Sequence, residues 1–157
     1  MARVEEAVRI TNNNELAVSA ARCASGALFK LLHGMPLAQA LSEASSLAGR
    51  RLEPLLAEAL AMPQLDSVAA AERFGASCHV SEGLPLVFHI VQRAPDYRSA
   101  VESNIRAGGD SCGRSIILGA IAAARDSMRN PTEFPIPLSW LARYWKFEGA
   151  AEACAAL

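Results

Sequence analysis

The chain has 157 residues, 52% hydrophobic and 20% charged, enough for one sizeable core and too few for two comfortable domains, so a single domain over residues 1–157 is expected. Lys and Arg number 15 against 16 Asp and Glu, a formal net charge of -1; with no basic stripe, nucleic acid is excluded as the expected partner. The longest apolar stretches, 84–91 and 116–124, fall well short of the roughly 20 residues that span a bilayer, and the first residues lack the apolar core of a signal peptide, so the expectation is a soluble, cytoplasmic protein with no membrane partner.

Residues 11–34 carry the clearest helical pattern. Asn12 and Glu15 have the spacing of a capping pair, Leu16, Ala20, Ala24, Ala27 and Leu31 share one face, and Gly34 stops the run. A second helix opens at Pro36, turns Leu37, Ala40, Leu41, Ala44 and Leu47 inward, and ends at Gly49. Pro54 opens a third, with Leu55, Leu56, Ala59 and Leu60 on its inner face and Met62-Pro63 as its close. Asp66 and Ser67 cap a short helix over 68–73 that Gly75 terminates. The 84–91 segment is apolar on nearly every side, the pattern of a central helix, although periodicity alone also fits a buried strand.

Pro95-Asp96 starts the next amphipathic helix, which buries Tyr97, Ala100, Val101 and Ile105 and runs to Gly108. Beyond Gly109, the apolar positions Ile116, Ile117, Ala120, Ile121 and Ala124 mark a core helix through about Met128. Small residues dominate these faces and let helix axes approach closely, which predicts a compact all-α packing. Pro131, Pro135 and Pro137 then break the chain, and Trp140, Tyr144, Trp145 and Phe147 gather near its end, where they either clamp the core or form an interface.

The candidate chemistry lies around the glycine pair. Gly108 and Gly109 permit backbone angles closed to other residues, so Asp110 can be fixed at a helix start, with Ser111 beside it, where exposed N–H groups favour an anion or an acid. Asp110 reads either as a metal ligand or hydrolytic carboxylate, or as the N-cap of the helix that follows, and its local sequence favours the cap. Glu82 reads as a partly buried acid or as a first-turn Glu favoured by the helix dipole. His79 and His89 lack the spacing of a histidine metal site; His89 reads as a core histidine with one satisfied ring nitrogen, and His33 as a partner for the carbonyl end of its helix. Cys23, Cys78, Cys112 and Cys154 form no C-x-x-C pair and read as reduced thiols, with Cys23 and Cys154 as small buried side chains. A Cys112 nucleophile at the helix start lacks a histidine base at readable spacing. No nucleophile elbow, phosphate loop or dinucleotide turn occurs.

Four segments together resemble a known family. Arg9-Ile10-Thr11-Asn12 with the alanine-rich run after it is similar to a Thr-His segment and its helix. Val80-Ser81-Glu82-Gly83-Leu84-Pro85 is similar to V-x-E-A-L-P. Asp96-Tyr97-Arg98-Ser99-Ala100-Val101, leading into Asn104 and Gly108-Gly109-Asp110, is similar to D-F-x-x-A-V followed by N-x-G-G-D. Ile136-Pro137-Leu138-Ser139-Trp140-Leu141 matches I-P-x-x-W-L. In this order the segments resemble the C-terminal half of the ADP-ribosylglycohydrolase family. The resemblance implies an all-α fold, a dinuclear Mg or Mn site, and hydrolysis of the glycosidic bond between ADP-ribose and a protein side chain.

Family loops of this kind read G-G-D-x-D-T, and two acids and a threonine hydroxyl ligate the metals. Here Asp110 matches the first acid, Cys112 stands at the second, and Gly113 replaces the threonine. A soft thiolate is a poor substitute in a hard-cation site. The G-D-A-x-G helix and T-D-D-T run that supply further ligands in the family have no counterpart in these residues. The expectation is therefore a chain that is catalytically impaired or inactive alone, with Gly108, Gly109, Asp110 and Ser111 as candidate ligand-binding residues and Asp110 as the one matching metal ligand. The alternatives are metal-independent binding of an ADP-ribose-type ligand and a structural, oligomeric scaffold. Association is expected in either case, as a homo-oligomer or with a missing N-terminal half.

Overall fold

The computed structural model describes residues 2–155, and among them every regular element is helical. In chain order these are α1 (Ala2–Arg9), α2 (Glu15–Leu32), α3 (Leu37–Ser45) with a 3-10 turn at Ser46–Ala48, α4 (Gly49–Ala61), α5 (Ser67–Phe74), α6 (Val80–Arg93), α7 (Tyr97–Arg106), α8 (Ser111–Arg129), α9 (Leu138–Leu141) and α10 (Phe147–Ala155). No described helix is long and apolar enough to cross a membrane.

The 84–91 segment is the centre of the core, as a helix and not a strand. Leu84 and every residue from Pro85 through Val91 are buried, because α6 is enclosed by α2, α4, α5, α7 and α8. Ala27, Ala40, Ala59, Ala70, Ala100 and Ala122 are fully buried, and their small side chains allow this many helices to close around one. His89 sits in the same core with both ring nitrogens against carbonyl oxygens, Nδ1 3.3 Å from Ala59 and Nε2 3.0 Å from Leu65. It lies between the end of α4 and the 62–66 link, and because an imidazole with one N–H donates to one carbonyl at a time, this agrees with the single satisfied nitrogen expected. At the end of α2, His33 Nδ1 lies 2.8 Å from the Phe29 carbonyl, as its position implied.

Helix starts differ from expectation at two places. The cap of α2 is Asn14, whose Oδ1 accepts from Leu16 N at 2.8 Å and Ala17 N at 3.3 Å. Glu15 is released by this to meet Arg9 of α1 at 2.6 Å, so Asn12 and Glu15 do not form a capping pair. Glu5 holds α1 to α2 through Arg22, which is how an eight-residue helix with no buried side chain docks. Helix α4 starts at Gly49, ahead of the expected Pro54, and Pro54 lies inside it. At this position Pro54 removes the single hydrogen bond that an N–H would have made to the Arg50 carbonyl, and the rest of α4 continues around it. The earlier start places Leu52 fully inside.

The inward faces also differ in detail. Leu47 is exposed and Ala48 buried, because the 3-10 turn carries fewer residues per turn than an α-helix and rotates the face. Asp66 caps α5 through Val68 N and Ala69 N, both at 2.9 Å, as expected. At the tail, the Trp140 ring meets Tyr97 at a tilt of 55° with centroids 6.1 Å apart and lies under the Arg98 guanidinium at 5.6 Å. Trp140 is half-buried by these contacts, whereas Trp145 is 85% exposed. Cys154 is exposed as well, contrary to expectation, because α10 buries none of its residues.

Candidate functional site

Helix α7 ends at Arg106, and the chain turns through Gly108 at φ 71° and Gly109 at φ 60°, left-handed angles that cost an L side chain energy. The two glycines have different surroundings. A Cβ at Gly108 would meet nothing within 4 Å, but one at Gly109 would lie 2.0 Å from the Ala76 carbonyl oxygen. That close approach lets Asp110 N donate to Ala76 O at 2.8 Å, joining the loop to the segment before α6.

Asp110 is the N-cap of α8. Its Oδ1 accepts from Gly113 N at 3.0 Å, the role its local sequence favoured. A Cβ at Gly113 would sit 2.3 Å from Asp110 Oδ2, so the absence of a side chain at 113 is what permits this carboxylate position.

Two residues that hydrophobic periodicity missed complete the corner. Asn104 is fully buried while its neighbour Ile105 is 61% exposed, the reverse of the expected face. Asn104 Nδ2 donates to Ser111 O at 2.8 Å and Ser115 Oγ at 2.9 Å. Its Oδ1 accepts from Arg114 Nε at 2.8 Å. Arg114 is only 5% exposed, and its guanidinium also donates to Ala76 O at 3.0 Å and to Gly108 O. Burial pulls the Arg114 pKa below its ordinary value, and the charge of Asp110 opposes that shift. The expected core residue Ile116 points outward, 74% exposed. The buried stripe of α8 is Arg114, Leu118, Ile121 and Arg125, at the same helical spacing but with a cation at each end.

Glu82, in the first turn of α6, folds back to accept from Ser77 N at 2.9 Å. The Ser77 hydroxyl and backbone N–H hold its carboxyl below the ordinary range against the opposing effect of desolvation. Glu82 therefore stabilises the 75–77 turn. Gly75, at φ 91°, leaves room for it, since a Cβ there would lie 2.3 Å from Glu82 Oε2.

A cleft of about 300 Å³ opens beside Asp110, between α2, α6, α8 and the 77–80 segment. Its walls are mainly apolar, with Ala20, Ala24, Val87 and Ile117, and its rim carries Asn12, Cys78, His79, Asp110 and Gly113. Of the four candidate ligand-binding residues only Asp110 faces this space, with His79 and Arg114 also lining it; Gly108, Gly109 and Ser111 shape the turn behind it.

The donor set does not fit a dinuclear Mg or Mn centre. Such ions need several oxygen ligands. One oxygen of Asp110 is engaged by Gly113 N, Cys112 offers an exposed thiol, and Gly113 offers no side chain. A threonine at 113 would collide with the carboxylate as it stands. The Arg114 guanidinium adds a fixed positive charge close to the same acid. Among the described residues no three His, Cys, Asp or Glu side chains converge as a metal-holding group.

No solved structure matches this chain. Crystallin J1A of Tripedalia cystophora is 28% identical over 141 residues, which cover 89% of this chain and 42% of that protein. The chain thus spans about two fifths of the length of this curated relative. The ADP-ribosylglycohydrolase family model matches residues 1–157, and with the helical fold and the glycine corner described above, the chain belongs to the ADP-ribosylglycohydrolase family.

Proposed function

We propose that this chain does not by itself hydrolyse the glycosidic bond between ADP-ribose and a protein side chain, and that it acts in the cytoplasm as a non-catalytic member of its family. The observation that carries this reading is the commitment of Asp110 to capping α8, with a thiol and a glycine at the positions where the family resemblance puts the other ligands. Metal-assisted hydrolysis needs a cation held by several oxygens to polarise the bond or activate water. Four free cysteines, three of them exposed, support a reducing compartment.

Calorimetry with ADP-ribose, with and without Mg²⁺ or Mn²⁺, combined with a turnover assay on ADP-ribosylated protein, tests it. No turnover under any metal is the expected result. Metal-dependent binding with turnover would overturn the reading, while metal-independent binding would make the Asp110 cleft an ADP-ribose-type binding site. Asp110→Asn separates the roles of the acid. As a cap it should lose only a fraction of about 1 kcal/mol, because Asn caps nearly as well, and as a ligand it should abolish metal-dependent binding.

A second reading, an assembling scaffold, is favoured by the exposed apolar side chains Ile105, Ile116 and Trp145 and by similarity to a protein named a crystallin. Light scattering that gives a clean monomer would remove it.

A further inference from the structure

Resting on the reading of a metal-free site, we propose that Arg114 is the built-in cation of the 104–114 corner and holds the glycine loop in place of a bound metal ion. The guanidinium reaches three separate stretches of chain. Nε meets Asn104 of α7, one Nη meets Ala76 ahead of α6, and the other meets Gly108 in the loop. The Asn104 and Gly108 carbonyls it faces lie at the C-terminal end of α7, where the helix dipole favours a cation. Asp110, at the start of α8, supplies the opposing negative charge.

The three guanidinium nitrogens, spread across one plane, each reach a different acceptor, whereas the three donors of a lysine ammonium radiate from a single atom and would not span the same positions. Asn104 is the hinge of the arrangement: it accepts from Arg114 and donates across to Ser111 and Ser115 of α8. With these contacts made, the corner carries its own positive charge, fixed by the sequence. A divalent ion at Asp110 would have to approach against that charge. With no coordinating oxygen from a side chain at Cys112 or Gly113, the cross-link through the corner is made by a covalently attached cation.

Hydrogen exchange read peptide by peptide, together with metal titration, tests the proposal. In the wild-type chain, the melting temperature and the exchange of the 104–114 segment should be the same in EDTA, Mg²⁺ and Mn²⁺. In Arg114→Met the Asp110 amide, bonded to Ala76 O in the native corner, should exchange at least tenfold faster while α3 and α4 keep their protection. Arg114→Lys should show most of the same loss, and it decides the matter if the methionine variant does not fold. Unchanged exchange in Arg114→Lys overturns the role of Arg114 but leaves the metal-free reading intact. Wild-type protection or melting that rises with Mn²⁺ overturns both.

Discussion

Replacing each glycine of the corner by alanine gives an internally controlled test of the loop geometry. Both residues have positive φ, 71° at Gly108 and 60° at Gly109, so both substitutions carry the left-handed penalty of about 1–2 kcal/mol, reduced by about 0.5 kcal/mol through the stiffer unfolded chain. At Gly108 nothing else happens, because a Cβ there meets open space; a net loss of about 1 kcal/mol is expected. At Gly109 the new Cβ would lie 2.0 Å from Ala76 O and 2.7 Å from Ala76 Cβ, so the loop and the 76 segment must separate. That breaks the Asp110 N–H to Ala76 O bond, worth about 1 kcal/mol, and strains the Arg114 bond to the same oxygen, a charged contact worth about 1.5–3 kcal/mol. The total for Gly109→Ala is about 4 kcal/mol. At roughly 2–4 °C per kcal/mol for a chain of this size, melting should fall about 3 °C for Gly108→Ala and about 10 °C or more for Gly109→Ala. Urea unfolding and calorimetric melting measure both, and equal losses at the two positions would refute the close approach at Ala76.

Three further outcomes follow from burial and capping. Burial pushes the Cys23 thiol up to about 12, so a thiol reagent at pH 8 should label Cys78, Cys112 and Cys154 promptly and Cys23 only on unfolding; four equally fast thiols would contradict the packing of α2. Because the folded pKa lies above the unfolded value of about 8.5, the contribution of Cys23 to stability is complete below that pH and falls as pH rises toward 12, so the wild-type advantage over Cys23→Ala in urea should shrink between pH 8 and 10. Asp96 caps α7, and the backbone N–H of Ser99, with its hydroxyl, holds the carboxyl below the ordinary range. Its contribution is present above the unfolded pKa of about 3.9 and is lost as pH falls through the lower folded value, so Asp96→Asn should flatten the acid limb of the stability profile. His89→Phe keeps an aromatic ring in the core but removes the ring N–H that Ala59 O or Leu65 O accepts, at an expected cost of about 1–3 kcal/mol; a loss under about 0.5 kcal/mol would show that neither contact is a functioning hydrogen bond.

The sequence made the helices legible and the corner only half so. Apolar spacing found the faces of α2 and the centre of α6, because there burial is driven by the hydrophobic effect alone. On α7 and α8 it placed Ala100, Ile121 and Ala124 in the core, but it also selected Ile105 and Ile116, which are exposed, and passed over Asn104 and Arg114, which are buried. Those polar residues are inside for a different reason: they satisfy carbonyls and hydroxyls that the glycine turn exposes. A search that admitted polar side chains to the stripe Arg114, Leu118, Ile121 and Arg125 would have found both arginines. The start of α4 was missed because Pro54 signals a beginning locally, yet the helix tolerates it a turn further in. The cap of α2 moved from Asn12 to Asn14 because three consecutive asparagines are equivalent by type, and the docking of α1 chooses among them.

Helix α8, 19 residues long and so about 28 Å from end to end, behaves as a tie rod with a bolt at each end. Arg114 fastens one end to the glycine corner, and at the other Arg125 grips the Val91 and Ala94 carbonyls while pairing with Asp126. Asp126 also accepts from the Tyr97 amide at 2.6 Å, and the Tyr97 ring faces the Trp140 indole. Arg125, Asp126, Tyr97 and Trp140 thus form one chain of contacts from the C-terminal end of α8 to α9. A change in how this end of α8 is seated is expected to reach the Trp140 indole, and its emission, read in a Trp145→Phe background because the chain has two tryptophans, is the measurement that checks it.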